Sequence, residues 1–341
     1  MAKSAVTIGD VAQAAGVSKM SVSLAFRDNN RVSAATRERI LRIAKELHYV
    51  PNQIARGLRS GKTNTIGFIV NDITNPFYAQ VLKSIEQKFG DQGMEVIVGC
   101  SDWSAERETR LAEKMIRMRA MGVFIVPCER GSESLELFRG ARIPFVVLDT
   151  VESNFVGTCV INDLQQCGRL AAEHFLEIGV KTPGFAGAPD DMAMYSAFQK
   201  IQYGYVETFA QAGIKIQSRN CVSGGLHIRD GINAWRQLAK QKSDADGIFC
   251  VNDLCAIGIM DEAESSGKVV GRDFALIGVD NLEISGLTRI GLTSIRQPFD
   301  EIAVQGALEI ERLIDQPQGC NRVIVLPQKL VVRESTINFK K

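Results

Sequence analysis

The chain has 341 residues, 45% of them apolar and 23% charged, which excludes wholesale disorder and calls for two or three domains. Its net charge of +1 hides an imbalance: residues 1–62 carry eleven Lys/Arg against four Asp/Glu, net +7, and the remainder carries 29 against 35, net −6. A basic end on a mildly acidic body points to a polyanion partner, most simply nucleic acid, or else to a solvated charged face.

No apolar run approaches the roughly 18–20 residues of a membrane helix, and Met1-Ala2-Lys3-Ser4 leads into no signal-peptide hydrophobic region. No membrane association is expected, and the cytoplasm is the expected location. The eight cysteines are scattered, without a C-x-x-C or a His/Cys cluster at metal spacing. They read as reduced thiols, and neither metal nor cofactor is expected.

In chain order, Ile8, Val11, Ala12 and Ala15 fall on one helical face, with Thr7 as N-cap and Asp10 three residues on. Gly16 breaks that helix, Val17 follows as an apolar plug, and Ser18 is the next N-cap. Lys19–Phe26 forms a second short helix with Val22, Ala25 and Phe26 inward. Two short helices joined by a tight glycine turn make a helix-turn-helix. A third helix follows Val32-Ser33, with Ile40, Leu41, Ile43, Ala44 and Leu47 as its apolar positions, and Pro51 ends the unit. The second helix is rich in small polar residues and flanked by Lys19 and Arg27, which suits a recognition helix reaching base edges in the major groove.

From Thr65 the pattern becomes βαβα. Thr65–Val70, Glu95–Gly99, Gly122–Val126 and Phe145–Leu148 read as buried strands, with helices over Pro76–Phe89 and Ala105–Met118. After a helix over Asp163–Ile178 the alternation restarts. Strands at Pro183–Ala186, Gly247–Val251 and Phe274–Val279 alternate with helices at Ile201–Ala212, Ile228–Lys240 and Leu254–Ser265. The fold class expected is an all-α helix-turn-helix headpiece plus an α/β core of two doubly wound subdomains. In open α/β sheets ligands sit beyond the carboxyl ends of strands. Those positions hold Asp72, Asn75-Pro76-Phe77-Tyr78, Asp149, Asn252-Asp253 and Asp280-Asn281. Each alone reads as a cap or turn residue; their recurrence is the signal for a cleft.

A longer string carries a family resemblance. Val6-Thr7-Ile8-Gly9-Asp10-Val11-Ala12, Ala15-Gly16-Val17-Ser18, Val22-Ser23, Val32-Ser33-Ala34-Ala35-Thr36-Arg37-Glu38 and Tyr49-Val50-Pro51-Asn52 resemble the headpiece of the LacI/GalR family of bacterial transcriptional regulators. Ile66–Val70 with Asn75–Tyr78, Ile143–Asp149, Ile277–Asn281 and Leu292–Pro298 resemble that family's effector-binding core, which is similar to periplasmic sugar-binding proteins. The resemblance implies a DNA-binding domain over 1–50, a hinge over 51–62 and an effector-binding and dimerisation core over 63–341. Within the core it implies an N-subdomain of about 63–162 and 293–322, and a C-subdomain of about 163–292 and 323–341.

It further implies DNA contacts from Thr7, Ser18, Lys19, Met20, Ser21, Ser23 and Arg31, and from Asn52, Ala55 and Leu58 of a hinge helix that orders on operator DNA. Leu58 would wedge into the minor groove; the alternative is a flexible linker with an incidental leucine. Phe77, Tyr78, Asp149, Lys200, Asn252 and Asp280 would line the effector pocket. Three departures stand out. Leu24 replaces an arginine common after the Val-Ser pair. Ile201 stands where relatives place a ligand-binding arginine, and Leu226 where many place an aromatic platform; the alternatives are a more apolar or differently wired pocket, a different ligand class, substitution by Lys200 or Gln199, or a weak or absent small-molecule response.

The expected protein is a homodimeric or tetrameric regulator, a repressor, whose affinity for double-stranded operator DNA is set by a sugar-like or other small metabolite. A transport-type sugar receptor and a Rossmann-type enzyme are the competing classes. Gly57–Thr63 resembles a P-loop but is one residue short between its glycines and precedes a strand. His48, His174 and His227 lie far apart with no nucleophile motif, so no catalytic role is expected.

Overall fold

The computed structural model describes residues 6–26, 31–50, 63–128, 133–149, 155–188, 196–316 and 321–339. The chain divides into two compact units, Met1–Thr63 and Asn64–Lys341.

The first unit holds α1 (Ile8–Ala15), α2 (Lys19–Ala25) and α3 (Ala34–Glu46). Thr7 and Asp10 close a capping box around the start of α1: the Thr7 amide and hydroxyl each donate to Asp10 Oδ2 at 2.8 Å, and the Asp10 amide donates to Thr7 Oγ1. Gly16 ends the helix at φ 62°, the left-handed geometry that favours glycine. The Ser18 hydroxyl then accepts the Ser21 amide and starts α2. Arg37 Nε of α3 donates to the Ala25 carbonyl at 3.0 Å, satisfying one of the open carbonyls at the end of α2. Val11, Ala12, Ala15, Val22, Ala25, Ile40 and Ala44 form the buried core, with Phe26 meeting Tyr49 edge-on. Leu41 is half-buried outside that cluster, whereas Ile43 and Leu47 pack against it.

The second unit contains two sheets of six strands. The first sheet is built from β1 (Thr65–Val70), β2 (Glu95–Cys100), β3 (Gly122–Ile125), β4 (Phe145–Asp149), β5 (Cys159–Asn162) and β11 (Val323–Leu326), all parallel, in the order β11-β5-β4-β3-β1-β2. The second contains β6 (Pro183–Gly187), β7 (Cys221–Ser223), β8 (Gly247–Cys250), β9 (Ala275–Asp280), β10 (Thr293–Arg296) and β12 (Lys329–Val331), in the order β12-β10-β9-β8-β6-β7. There β12 alone is antiparallel. Both sheets are covered on both faces, which is why their central strands are continuous apolar runs, whereas the edge strands β2, β7, β11 and β12 are partly exposed. The first sheet lies between α4 (Pro76–Gly90) with α11 (Phe299–Asp315) and α5 (Ala105–Arg117) with α6 (Glu133–Ala141). The second lies between α7 (Leu164–Glu177) with α8 (Ser196–Gln211) and α9 (Ile228–Lys240) with α10 (Asp253–Ser265).

The lobe boundaries differ from the expected ones. Thr293–Arg296 pairs with β9 and completes the second sheet, and Val323–Leu326 pairs with β5 and completes the first. Backbone pairing decides this, and a motif string does not contain it. The chain therefore crosses between lobes three times, at Asn162–Leu164, at Gln297-Pro298 and at Pro327-Gln328. The helices α6 and α11, the strands β5, β7 and β10, and the terminal β11, β12 and α12 (Glu334–Ile337) lie outside that alternation; the strands among them are only three or four residues long.

The second lobe has a particular packing device. A Cβ on Gly168 of α7 would lie 1.9 Å from the Ile201 carbonyl oxygen of α8, and one on Gly204 would lie 2.1 Å from that of Gln165. Gly231 of α9 and Gly258 of α10 are locked in the same way, with 2.0 Å to the Cys255 and Ile228 carbonyls. On each face, two helices meet backbone to backbone at positions where any side chain would clash.

Candidate DNA-reading surface and effector cleft

In the first unit, the N-terminal end of α2 is open. Lys19 and Met20 are exposed, Met20 at 64%, whereas Ser21 and Ser23 are half-buried. Ser18 and Ser21 share a hydroxyl contact of 2.9 Å on top of the cap. Lys19 folds back over Gly9, its Cε 3.3 Å from where a Cβ would sit. Asp10 is held below its ordinary carboxylate range, first by the Thr7 hydrogen bonds and in smaller part by Lys19. Thr7 and Arg31 are exposed. Asn52, Ala55 and Leu58 lie outside the described residues, as does the whole 51–62 segment.

In the core, two aspartates end matching strands, Asp149 on β4 and Asp280 on β9. Both have positive φ, 73° and 107°, a backbone geometry that non-glycine residues rarely adopt and that marks functional sites. A chain of hydrogen bonds joins them across the lobes. The Tyr78 hydroxyl donates to Asp149 Oδ2 at 3.0 Å, and Asn162 Nδ2 donates to Asp149 Oδ1 at 2.8 Å. Asn162 Nδ2 also reaches Gln297 Oε1 at 2.6 Å, and Gln297 Nε2 donates to Asp280 Oδ1. Burial pushes the carboxyls of Asp149 and Asp280 up, with repulsion from Asp253 and Asp149 adding to the effect at Asp280. Asn162, Tyr78 and Lys200 oppose the shift at Asp149. The Tyr78 phenol is itself pushed well up, first by burial and then by the Asp149 charge, so it stays a donor. Cys159, also within the field of Lys200, rises to about 11 through burial.

Three buried oxygens at this junction lack a hydrogen bond, Asn71 Oδ1, Asn162 Oδ1 and Asp280 Oδ2, although the Asn75 side chain acts on the Asp280 carboxyl; at the third crossing Gln328 leaves both its amide oxygen and its amide nitrogen unpaired. A buried unpaired polar atom costs about 1–3 kcal/mol. Between the lobes the junction thus offers mainly acceptors, with the Gln328 nitrogen as a spare donor.

The remaining positions read from sequence divide clearly. Asn252 is committed at both ends: its Oδ1 caps α10 through the Cys255 amide, and its Nδ2 donates to the Leu226 carbonyl. Phe77 belongs to the buried cluster of the first lobe and meets Tyr78 edge-on at 5.1 Å. Lys200 is half-buried on α8 and acts on Asp149. Ile201 is 4% exposed within the second lobe's core cluster, and Leu226 packs against that cluster. Asp72 holds a turn by accepting from Thr74, and Asn281 accepts from Arg333. Asp253 accepts from Ser285, Ser294 and the Leu282 amide, yet burial pushes it up to about 6. Sequence reasoning missed Asn71 and Asn162 as site residues, and quoted Gln297 only within a motif. It also missed a pair of rings, Trp103 and Phe198, whose centroids lie 6.1 Å apart.

The histidines serve structural ends. His174 is buried against Thr336 at 2.9 Å, with its basicity lowered by burial, and His227 starts α9. Among the described residues no His/Cys/Asp/Glu group could hold a metal, and no helix is long and apolar enough to cross a membrane.

Residues 7–52 match the bacterial regulatory proteins of the lacI family, and residues 172–336 match the periplasmic binding protein-like domain. The chain thus joins a lacI-family regulatory domain to a periplasmic binding protein-like domain. Catabolite control protein A of Priestia megaterium is 29% identical over 97% of this chain and 99% of its own length. The crystal structure of a LacI-family regulator from Silicibacter pomeroyi superposes with a TM-score of 0.84 at 29% identity, covering 98% of this chain and all of that one. A LacI-family regulator from Enterococcus faecalis V583 with bound ribose gives a TM-score of 0.72 at 28% identity, covering 81% of this chain and all of that one. With these two domains the protein is a DNA-binding transcriptional regulator under small-molecule control, with a helix-turn-helix N-terminus and a periplasmic-binding-protein-like core.

Proposed function

We propose that this regulator is a cytoplasmic, homodimeric repressor without catalytic activity, whose grip on operator DNA is set by a sugar-like effector. Residues 1–50 read DNA, 51–62 form a hinge that orders on the operator, and 63–341 form the receptor and dimerisation core. Lys19, Met20, Ser21 and Ser23 face base edges, Ser18 and Thr7 set the two helix starts near the phosphates, and Arg31 adds charge. Leu58, with Asn52 and Ala55 beside it, bends the centre of a pseudo-palindrome.

The observation that supports the effector half best is the chain Tyr78–Asp149–Asn162–Gln297–Asp280, which joins the two lobes and carries unpaired acceptors. An effector that satisfies those acceptors favours one lobe angle over another. DNA and effector are then coupled reciprocally: whichever weakens the other is weakened by the same factor. Repression is the supported sign, and the ribose held by the Enterococcus faecalis relative supports a carbohydrate effector.

The test is selection of DNA by the full chain from a random duplex pool. A two-fold symmetric site should emerge, its affinity falling steeply with salt as counterions are released. Lys19→Ala should lower that salt slope by about one. Failure to enrich any symmetric sequence, or a flat salt response, would falsify the reading.

A further inference from the structure

The departure at Leu226 leaves the cleft without the expected flat ring, and the structure supplies two others. Trp103 follows β2 in the first lobe, and Phe198 lies in the first turn of α8 in the second. Their rings are tilted by 37° and face one another across the lobes. The Trp103 backbone is held, not loose. Asp102 and Trp103 both have positive φ, 52° and 56°. Arg107 donates to Asp102 at 2.7 Å, and the Trp103 amide donates to the Asn71 carbonyl at 3.3 Å. Two successive non-glycine residues in that conformation are costly unless the surroundings impose them.

The rings stand beside the donor-seeking junction. Asn71, which anchors Trp103 through its carbonyl, carries one of the three unpaired acceptors on its side chain. Lys200, two residues beyond Phe198, acts on Asp149. Asn71, Asn162 and Asp280 are each under 5% exposed, so their unpaired oxygens are desolvated. An aromatic face next to buried acceptors selects a ligand with one apolar ring face and a rim of donors. The amide oxygens of Asn71 and Asn162 can only accept, so an anionic oxygen finds no donor in them.

We propose that Trp103 and Phe198 are the aromatic clamp of the effector cleft, and that they stack a hydroxyl-bearing ring that is neutral or carries an amine, in preference to a phosphorylated one. The ring enters between Trp103 and Phe198 as the lobes part, packs on Trp103, and is covered by Phe198 as they close. This rests on the effector reading above and goes beyond it in naming the platform and the charge of the ligand.

The chain has two tryptophans. Trp235 stacks on Phe274 and donates to Ser266, within the second lobe. Trp235→Phe therefore leaves Trp103 as the sole tryptophan reporter. The full chain is titrated with glucose, ribose, cellobiose, glucosamine and glucose 6-phosphate, reading Tm in the wild type and Trp103 emission in Trp235→Phe. At least one neutral or amine-bearing probe should raise Tm and change the emission. Its affinity should fall tenfold or more in Trp103→Ala and several-fold in Phe198→Ala, while Trp103→Phe should retain most of it. Binding with unchanged emission, or with undiminished affinity in Trp103→Ala, would overturn the clamp. Glucose 6-phosphate binding more tightly than glucose would overturn the charge preference, and no binding by any probe would overturn the ligand class. Retention of the selected DNA is measured in the same variants. Loss of sugar binding with DNA retention intact leaves the regulator reading standing, and DNA retention indifferent to a bound sugar counts against effector control itself.

Discussion

The two lobes of the core share an architecture of six strands between pairs of helices, yet they are held together differently. In the second lobe, Gly168 with Gly204 and Gly231 with Gly258 bring helix backbones into direct contact on both faces of the sheet. No glycine described in the first lobe's helices makes such a contact. Gly306 of α11 instead packs on the sheet, its missing Cβ facing Phe124 Cε1 of β3 at 3.1 Å and Leu148 Cδ2 of β4 at 3.3 Å, atoms of side chains that can shift. Backbone contacts cannot repack and side-chain contacts can. The second lobe is thus the rigid platform and the first the adaptable one.

The largest test of that contrast is Gly204→Ala. The added methyl meets a carbonyl oxygen at 2.1 Å, and the cost should be on the order of 4 kcal/mol, read as loss of cooperative thermal unfolding of the core. Gly306→Ala gains helix propensity worth about 1 kcal/mol and loses a comparable amount to crowding, so its Tm should barely move. Similar losses in both variants would erase the distinction.

A smaller effect concerns Asp253, which ties α10 to β10 and to the loop after β9. Its folded value of about 6 stands above the ordinary 3.8, so the folded state holds the proton more tightly than the unfolded one. The stability linked to that proton is fully present below about pH 4 and is lost as pH rises through 6, up to about 3 kcal/mol. Asp253→Asn should flatten denaturation midpoints between pH 4 and 7 relative to the wild type. An unchanged slope would mean that Asp253 does not titrate there.

The headpiece supplies the smallest effect. Thr7→Ala removes the capping box and should cost about 1 kcal/mol in headpiece stability, measured by amide exchange in α1, with the core unaffected.

Local chemistry made the headpiece legible. Thr7, Ser18 and Ser33 announce the three helix starts, and Gly16 announces the turn. The paired-lobe core was legible for a related reason, since buried parallel strands are apolar runs that end in polar residues. The boundary of each lobe was not, because Thr293–Arg296 and Val323–Leu326 are assigned by partners far away in sequence. Asp149 and Asp280 stood out as strand-end carboxylates, while their connectors Asn162 and Gln297 look like ordinary polar residues until the lobes meet. Asn252 shows the converse: a strand-end amide can be wholly occupied as a cap. Trp103 and Phe198 lie 95 positions apart, and no periodicity pairs them.

The three crossings between lobes carry one buried amide each, Asn162, Gln297 and Gln328, the first two bonded to one another. A single tether would let the halves swivel about any axis. Three tethers, two of them stitched side by side, resist twist and shear and leave one easy rotation. Work done by a molecule entering the cleft is thereby channelled into a pivot of fixed direction, and the amides are the bearings on which it turns.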